Sequence, residues 1–241
     1  MDSPQKNDPQ PEKAESWKMF DEISPRYDLV NRILSWGQDV SWRKKMADYL
    51  PNETGLVVLD LATGTADVLL ALLKVRPEIE QGLGLDLSDK MLTVGRRKVD
   101  ARGLAGRIIL RNGDAQDIPN PDNTFSAVTI AFGIRNLPDP GKTLSEMYRV
   151  LKKGGRAIIL EFSLPANPVI RFFHLRYLRY GVPIVGGMLS GNFQAYSYLN
   201  RTIEQFPYGK QFLGLMGQAG FEELRSQPLL LGAATIYYGK K

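Results

Sequence analysis

The sequence predicts an α/β fold: a mostly parallel sheet covered on both faces by helices, closed by a C-terminal antiparallel pair and preceded by a helical cap. Two observations carry this. Between residues 56 and 162, short apolar runs rich in β-branched residues alternate with segments of helical period. Near the C-terminus the order changes, and extended runs at 221–228 and 233–238 follow one another through a Leu-Gly step, as in a hairpin.

Each element has a local reason. Residues 15–50 read as a helical cap: Trp17, Phe20, Ile23 and Tyr27 recur at three- and four-residue steps. Ile33 and Leu34 continue the pattern more loosely against Val40, Trp42 and Met46, and Pro51-Asn52 ends it. Then follow strand 56–61, helix 66–76, strand 82–87, helix 88–101, strand 107–112, strand 127–132 and helix 141–151. Lys152-Lys-Gly-Gly155 predicts a turn into strand 156–162. Helix 209–219 precedes the C-terminal pair, which brings the sheet to seven strands. Segment 163–201 interrupts the alternation and reads as a substrate-side insertion. Residues 1–14 are polar, rich in Pro, Gln and Asp, and predict a disordered tail rather than a signal peptide or anchor. The remainder, 15–241, reads as a single domain.

Composition narrows the chemistry. At 241 residues, with 43% hydrophobic and 24% charged, the chain matches one soluble globular domain. No apolar run approaches the roughly eighteen residues of a spanning helix. The absence of cysteine excludes disulfides, thiolate metal sites and a cysteine nucleophile, and a single histidine excludes a His-rich metal centre. No metal is expected, and the cytoplasm is the expected compartment. The net charge of +5 suits nucleic acid, an anionic membrane surface or a soluble basic protein equally well.

The most informative stretch is Val58-Leu-Asp-Leu-Ala-Thr-Gly-Thr-Ala-Asp67. A β-rich run breaks at small residues and passes directly into a helical pattern. Backbone can approach a ligand closely at such a strand-to-helix turn, where free N–H groups point outward. Asp86 lies 22 positions after Gly64, near the spacing at which a carboxylate caps a ribose hydroxyl pair. A dinucleotide fingerprint needs glycines where Ala66 and Leu69 stand, and fails at both. A pattern with a carboxylate four residues ahead of the glycine fits better, with Asp60 in that place. Such a carboxylate orients the loop or meets an ammonium group, and S-adenosylmethionine carries one. Alanine at position 66 is tolerable if its φ stays below zero. The loop by itself leaves open a plain βα turn without a ligand.

Further stretches sharpen the reading: Phe20-Asp-Glu-Ile-Ser-Pro-Arg-Tyr-Asp28 with Asn31, Trp42-Arg43, Asn123-Thr-Phe125 and Thr129-Ile-Ala-Phe-Gly-Ile-Arg-Asn136. Met147-Tyr-Arg-Val-Leu-Lys152 with Gly154-Gly155, and Leu160-Glu-Phe-Ser163, complete the set. From about Trp17 onward the chain resembles the ubiquinone/menaquinone biosynthesis C-methyltransferases, within the Rossmann-like class I S-adenosylmethionine-dependent methyltransferases. The resemblance implies S-adenosylmethionine as cofactor and an isoprenoid quinol as substrate, demethylmenaquinol first and a ubiquinol precursor as the alternative. Its cofactor pattern carries over at Thr65, Asp86, Asp114 and Ala115. Asp86 is expected on the ribose hydroxyls, Asp114 on the adenine amino group, and Ala115 contributes a backbone N–H. Asp60, Gly64 and Ala131 complete the expected cofactor set. The glycine-poor loop and Ala131, where some relatives have Ser, are departures that remove no charge, so they predict altered affinity rather than lost function.

Methylating an aromatic carbon requires an electron-rich nucleophile, and a quinol carbon becomes one when the neighbouring hydroxyl loses its proton. A nearby cation favours that loss and stabilises the oxyanion. Arg135, just past the fourth strand of the sheet, takes this role in the reading, through a water because a guanidinium does not give up its proton. Asn136 orients that water or the second oxygen, while Tyr27 and Asp28 close the cap and exclude solvent. The structural alternative pairs Arg135 with Asp139 or Glu161 and leaves Tyr27 in the core. His174 reads as a packing or surface residue.

Within the insertion, Val169, Ile170, Phe173, Tyr177 and Tyr180 share a helical face, interleaved with Arg171, Arg176 and Arg179. This suits transient contact with a membrane surface, peripheral at its inner face, or packing against the cap. A thiolate-dependent base methyltransferase is excluded by the missing cysteine. An amino-methylating nucleic-acid enzyme lacks its Pro-Pro-aromatic loop at 132–136 and any sustained basic tract, so no nucleic acid is expected. A module that binds the cofactor without catalysis is the remaining rival. A homodimer is compatible with the sequence, though no residue demonstrates it.

Overall fold

The structure, a computed structural model, describes residues 13–241. The expected disordered tail lies outside the described residues except at its end, where Lys13–Glu15 form a 3-10 turn. The strands are β1 (Leu56–Leu61), β2 (Ile79–Asp86), β3 (Ile108–Asn112), β4 (Phe125–Ala131), β5 (Leu151–Phe162), β6 (Glu222–Leu229) and β7 (Ala234–Lys240). They form one seven-stranded sheet in the order β3-β2-β1-β4-β5-β7-β6. All pairings are parallel except those of β7 with β5 and β6. The predicted class is therefore observed.

Sequence explains the positions within the sheet. Phe125 to Ile130 of β4 are all buried, because strands of a parallel sheet covered on both faces read as continuous apolar runs. Strand β6 carries Glu, Arg, Gln and Pro228 and is mostly exposed, as an edge strand tolerates. On one face Leu69, Leu72 and Leu73 of α4 (Asp67–Val75) and Leu92 of α5 (Asp89–Asp100) pack with Val58 and Ile158. On the other face lie Leu144 and Met147 of α6 (Pro140–Val150). Each such side chain contributes about 1.5–3 kcal/mol when fully buried.

The cap consists of α1 (Ser16–Ile23), α2 (Tyr27–Leu34) and α3 (Gln38–Lys45). The insertion folds as α7 (Pro168–Arg176), a π-helical turn Tyr177–Gly181, α8 (Val182–Ser190) and α9 (Phe193–Gln205); α10 (Lys210–Gln218) follows. Met19, Ile23 and Val30 of the cap pack with Leu178, Val182, Tyr196, Tyr198 and Ile203, so cap and insertion share a core above the carboxyl edge of the sheet.

Three expectations need correction. The turn at 152–155 is an excursion inside β5: Phe125 faces Leu151, the next aligned pair is Ala127 with Arg156, and Gly154 N–H donates to Lys241 O at 2.8 Å. Gly154 takes φ +81, so the backbone does turn here, but pairing with the C-terminal residue keeps the segment within the strand, which no local pattern reveals. The insertion face is split between cavity and solvent: Ile170, Phe173 and Tyr177 line an interior cavity, whereas Val169 and Tyr180 are exposed. Ala66 has φ +66, in the left-handed region, against the expectation of a negative value. Hydrogen bonds across the loop impose this conformation: Thr63 N–H donates to Leu85 O at 3.0 Å and Ala66 N–H to Thr63 O at 2.9 Å.

Candidate active site

Two cavities meet beyond the carboxyl edge of the sheet. The smaller, about 80 Å³, opens between the ends of β1, β2 and β4 and the first cap helix. Gly64, Asp86, Ala115 and Ala131, all expected at the cofactor, line it together with Met91 and Leu137. Asp86 Oδ2 accepts from Gly64 N–H and Oδ1 from Ser88 N–H, both at 2.8 Å. Burial raises the Asp86 pKa, against the pull of those two N–H groups. The loop after β1 and the start of α5 are thus both tied to one carboxylate.

The remaining cofactor candidates stand behind this wall. Asp60 is fully buried, accepting from Thr63 Oγ1 and Thr129 Oγ1 at 2.6 Å each, and burial pushes its carboxyl up to about 7. It braces the loop from below. Asp114 stands between the cavity-lining Gly113 and Ala115, and its Oδ1 accepts from Gln116 N–H at 2.8 Å. The Thr65 hydroxyl faces away into a polar cluster: it donates to Asp28 Oδ1 at 2.7 Å and accepts from Lys98 Nζ at 2.9 Å. Lys98 Nζ also reaches Asp28 Oδ2 at 2.9 Å and pairs with Asp67. Asp28 thus latches α2 to the loop through Lys98, a residue that sequence reasoning did not single out. Gly95, one turn earlier on α5, permits the approach, since a Cβ there would lie 3.2 Å from the Thr65 carbonyl carbon.

The larger cavity, about 390 Å³, lies under cap and insertion, with a predominantly apolar lining. Phe20, Tyr27, Phe132 and Asn136 line both cavities and form their common wall. Phe20 and Tyr27 pack edge to face at 6.0 Å. Burial raises the Tyr27 phenol pKa, opposed by Arg43 and Arg135. Phe132 sits at φ +56, with its ring 4.4 Å from that of Phe162 and 6.1 Å from that of Trp42. Non-glycine residues adopt this conformation at a cost of about 1–3 kcal/mol, and such strain clusters at functional sites. Gly133 follows it and packs so tightly on the β1 loop that a Cβ would lie 2.7 Å from Ala62 Cβ.

Arg135 is buried in the wall of the larger cavity, paired with Glu161 at 2.7 Å and donating from Nη1 to Phe132 O at 2.5 Å. The ion pair with Glu161, rather than Asp139, is the arrangement found. Burial raises the Glu161 pKa and Arg135 lowers it. Arg135 Nε and Asn136 Oδ1 remain buried without a hydrogen-bond partner among the described residues. His174, read as packing or surface, lines the same cavity, and burial lowers its pKa. Sequence reasoning also passed over Phe132, Tyr196 and Tyr198. For the two tyrosines the only signal was their position at the end of the insertion.

The fold is that of the class I methyltransferases. The matching family model, the ubiE/COQ5 methyltransferase family, spans residues 9–241, and the chain belongs to that family. It is 44% identical over 227 residues to a protein of Geotalea daltonii named ubiquinone/menaquinone biosynthesis C-methyltransferase UbiE, covering 93% of this chain and 95% of that one. It is also 44% identical over 223 residues to a demethylmenaquinone methyltransferase of Thermus thermophilus, covering 92% and 100%. Among solved structures, a SAM-dependent methyltransferase from Aquifex aeolicus aligns with TM-score 0.58 at 21% identity over 82% of this chain and 88% of that one. The [4+2]-cyclase SpnF aligns with TM-score 0.64 at 16% identity over 96% and 97%. A cyclase on this fold underlines that architecture alone does not determine the reaction.

Proposed function

We infer that this protein methylates a ring carbon of a reduced isoprenoid quinone, demethylmenaquinol first, with S-adenosylmethionine as the donor. The observation that carries the reading is the shared wall of Phe20, Tyr27, Phe132 and Asn136 between a carboxylate-ended cleft and a large apolar cavity. The bound donor supplies a methyl group on a sulfonium. The smaller cleft suits that donor: Asp86 offers carboxylate oxygens for ribose hydroxyls at the end of β2, and Gly113, Asp114 and Ala115 offer an edge for the base.

The larger cavity suits a flat, greasy ring. Arg135, held by Glu161 and the Phe132 carbonyl, keeps Nε unpaired for an acceptor oxygen or its water, and Asn136 keeps Oδ1. A fixed cation in an apolar enclosure stabilises an oxyanion without reorganisation. Tyr27 and the Asp28 latch hold the cap down and keep water out. Relatives named for demethylmenaquinone support the naphthoquinol over a ubiquinol precursor.

The cavity rim carries Trp36, Phe173 and Leu231, exposed by 81%, 66% and 73%. No helix among the described residues is long and apolar enough to cross a membrane. An isoprenoid tail leaving by this rim would keep contact with lipid, which supports peripheral membrane association. Of the insertion arginines, Arg179 is taken by Glu204 and Arg171 by Tyr208, while Arg176 lies over the Phe172 ring at 4.9 Å. Of these only Arg179 is neutralised by a carboxylate, so the rim's apolar side chains act beside the charges that Arg171 and Arg176 keep. Incubation with S-adenosylmethionine and reduced demethylmenaquinone, followed by mass analysis of the quinone, tests the reading; donor binding without any mass gain of one methylene would overturn it.

A further inference from the structure

The wall of the larger cavity holds a hydroxyl that the chemistry above does not use. Tyr198, on α9, is 2% exposed and lines that cavity. Its Oη is buried without a hydrogen-bond partner among the described residues. An unpaired buried hydroxyl costs about 1–3 kcal/mol, and Phe would fill the same space without that cost. A phenol kept here implies a partner that arrives with a ligand.

Its neighbours put Tyr198 at the junction of the cavities. A polar neighbour is the Ser16 hydroxyl, which lowers the phenol pKa but lies outside full hydrogen-bond contact with Oη; Ser16 lines the donor cleft and its Oγ donates to Asn136 O at 3.5 Å. Arg135 lines the same cavity as Tyr198, and its charge lowers the phenol pKa against the effect of burial. Arg135 Nε and Asn136 Oδ1, unpaired in this wall as are Tyr196 Oη and His174 Nε2, stand on the turn that follows β4.

We propose that Tyr198 donates a hydrogen bond from Oη to the acceptor hydroxyl oxygen beside the methylated ring carbon, acting with Arg135. The inference rests on a quinol acceptor. Burial raises the Tyr198 pKa, so the phenol stays protonated at neutral pH and donates rather than abstracts. As the acceptor loses its proton, negative charge gathers on that oxygen, and preset donors in a water-poor cavity stabilise it. No proton passes through Tyr198.

Tyr198→Phe tests this, because only the hydroxyl is removed. The variant keeps its thermal midpoint or gains on it, and calorimetry gives a donor Kd within about twofold of the parent. Turnover of reduced demethylmenaquinone falls on the order of 10²-fold. The acid limb of its pH profile moves to higher pH, since the acceptor oxyanion has lost a donor. A structural role would change the midpoint and leave the limb in place. Unchanged turnover and limb in Tyr198→Phe, with an active parent, overturn this inference alone; a parent without quinol turnover overturns the functional reading and this inference together.

Discussion

Arg135 Nη1 lies 2.7 Å from Glu161 Oε1, and neither side chain is more than 3% exposed. Glu161 also accepts from Phe162 N–H at 2.8 Å and from Arg135 N–H at 3.4 Å, so its carboxylate ties the end of β5 to the turn that carries Arg135. In the proposed reaction Arg135 is both a cation for the acceptor and the partner of a buried charge, and the two roles separate by mutation.

Arg135→Leu strands Glu161 and is expected to cost about 3–5 kcal/mol of stability, so lost turnover in that variant is uninformative. Arg135→Lys keeps a charge beside Glu161 but loses Nε and the planar fork. It should remain folded and bind donor within about twofold, with kcat reduced on the order of 10²-fold. Single-turnover assays with calorimetry of donor binding check this; full turnover in Arg135→Lys removes guanidinium chemistry from the mechanism.

Asp60 carries a pH signature. Its carboxyl stands at about 7 in the fold, raised by burial, against an ordinary value near 3.9 in the unfolded chain. Between these values the folded protein holds a proton that the unfolded chain has released. The stability from this group is therefore complete below about pH 4 and drains away as pH rises through about 7. Asp60→Asn should gain on the parent by on the order of 2 kcal/mol between pH 5 and pH 8. Denaturant midpoints across that range measure it, and a constant difference would mean the buried carboxyl carries no proton.

Gly133 and Ala62 form a contact that a double-mutant cycle can resolve. A methyl at 133 would stand 2.7 Å from Ala62 Cβ, and Ala62 itself holds φ +46. Gly133→Ala should lose about 1–3 kcal/mol through overpacking and weaken donor binding by shifting the loop. Adding Ala62→Gly opens the space and relieves the left-handed alanine, restoring most of the loss. Chemical denaturation of the four proteins reads the coupling; simple additivity would place the strain elsewhere.

Lys98 joins Asp28 of the cap to Thr65 and Asp67 of the donor loop. Lys98→Met should raise the donor KM about 5- to 20-fold, the equivalent of one or two polar contacts, with kcat changed far less. Asp28→Asn breaks the same latch, so the double variant should be little worse than either single one. Independent, multiplicative effects in steady-state assays would show that the two side chains do not act as one unit.

Much of the molecule was legible before folding. Strand 56–61 matches β1 residue for residue, and Asp86 ends β2 where the spacing from Gly64 put it. These features depend on side-chain period and turn chemistry within a few residues, which a linear chain displays. Expectations failed where distant backbone intervened. The Lys-Lys-Gly-Gly segment runs within β5 because Lys241 pairs beside it, and Ala66 is left-handed because the end of β2 grips its loop.

What the sequence by itself determined is the sheet, the donor loop and the identity of the polar groups around it. Only the tertiary structure decided which of those groups face each other. Glu161 rather than Asp139 partners Arg135, Lys98 reaches Asp28 from 70 residues away, and Tyr198 comes to line the same cavity as Arg135. The physical reason is that hydrogen bonds and ion pairs act over a few ångströms in space, and packing of the cap on the insertion sets those distances through contacts that no local pattern encodes.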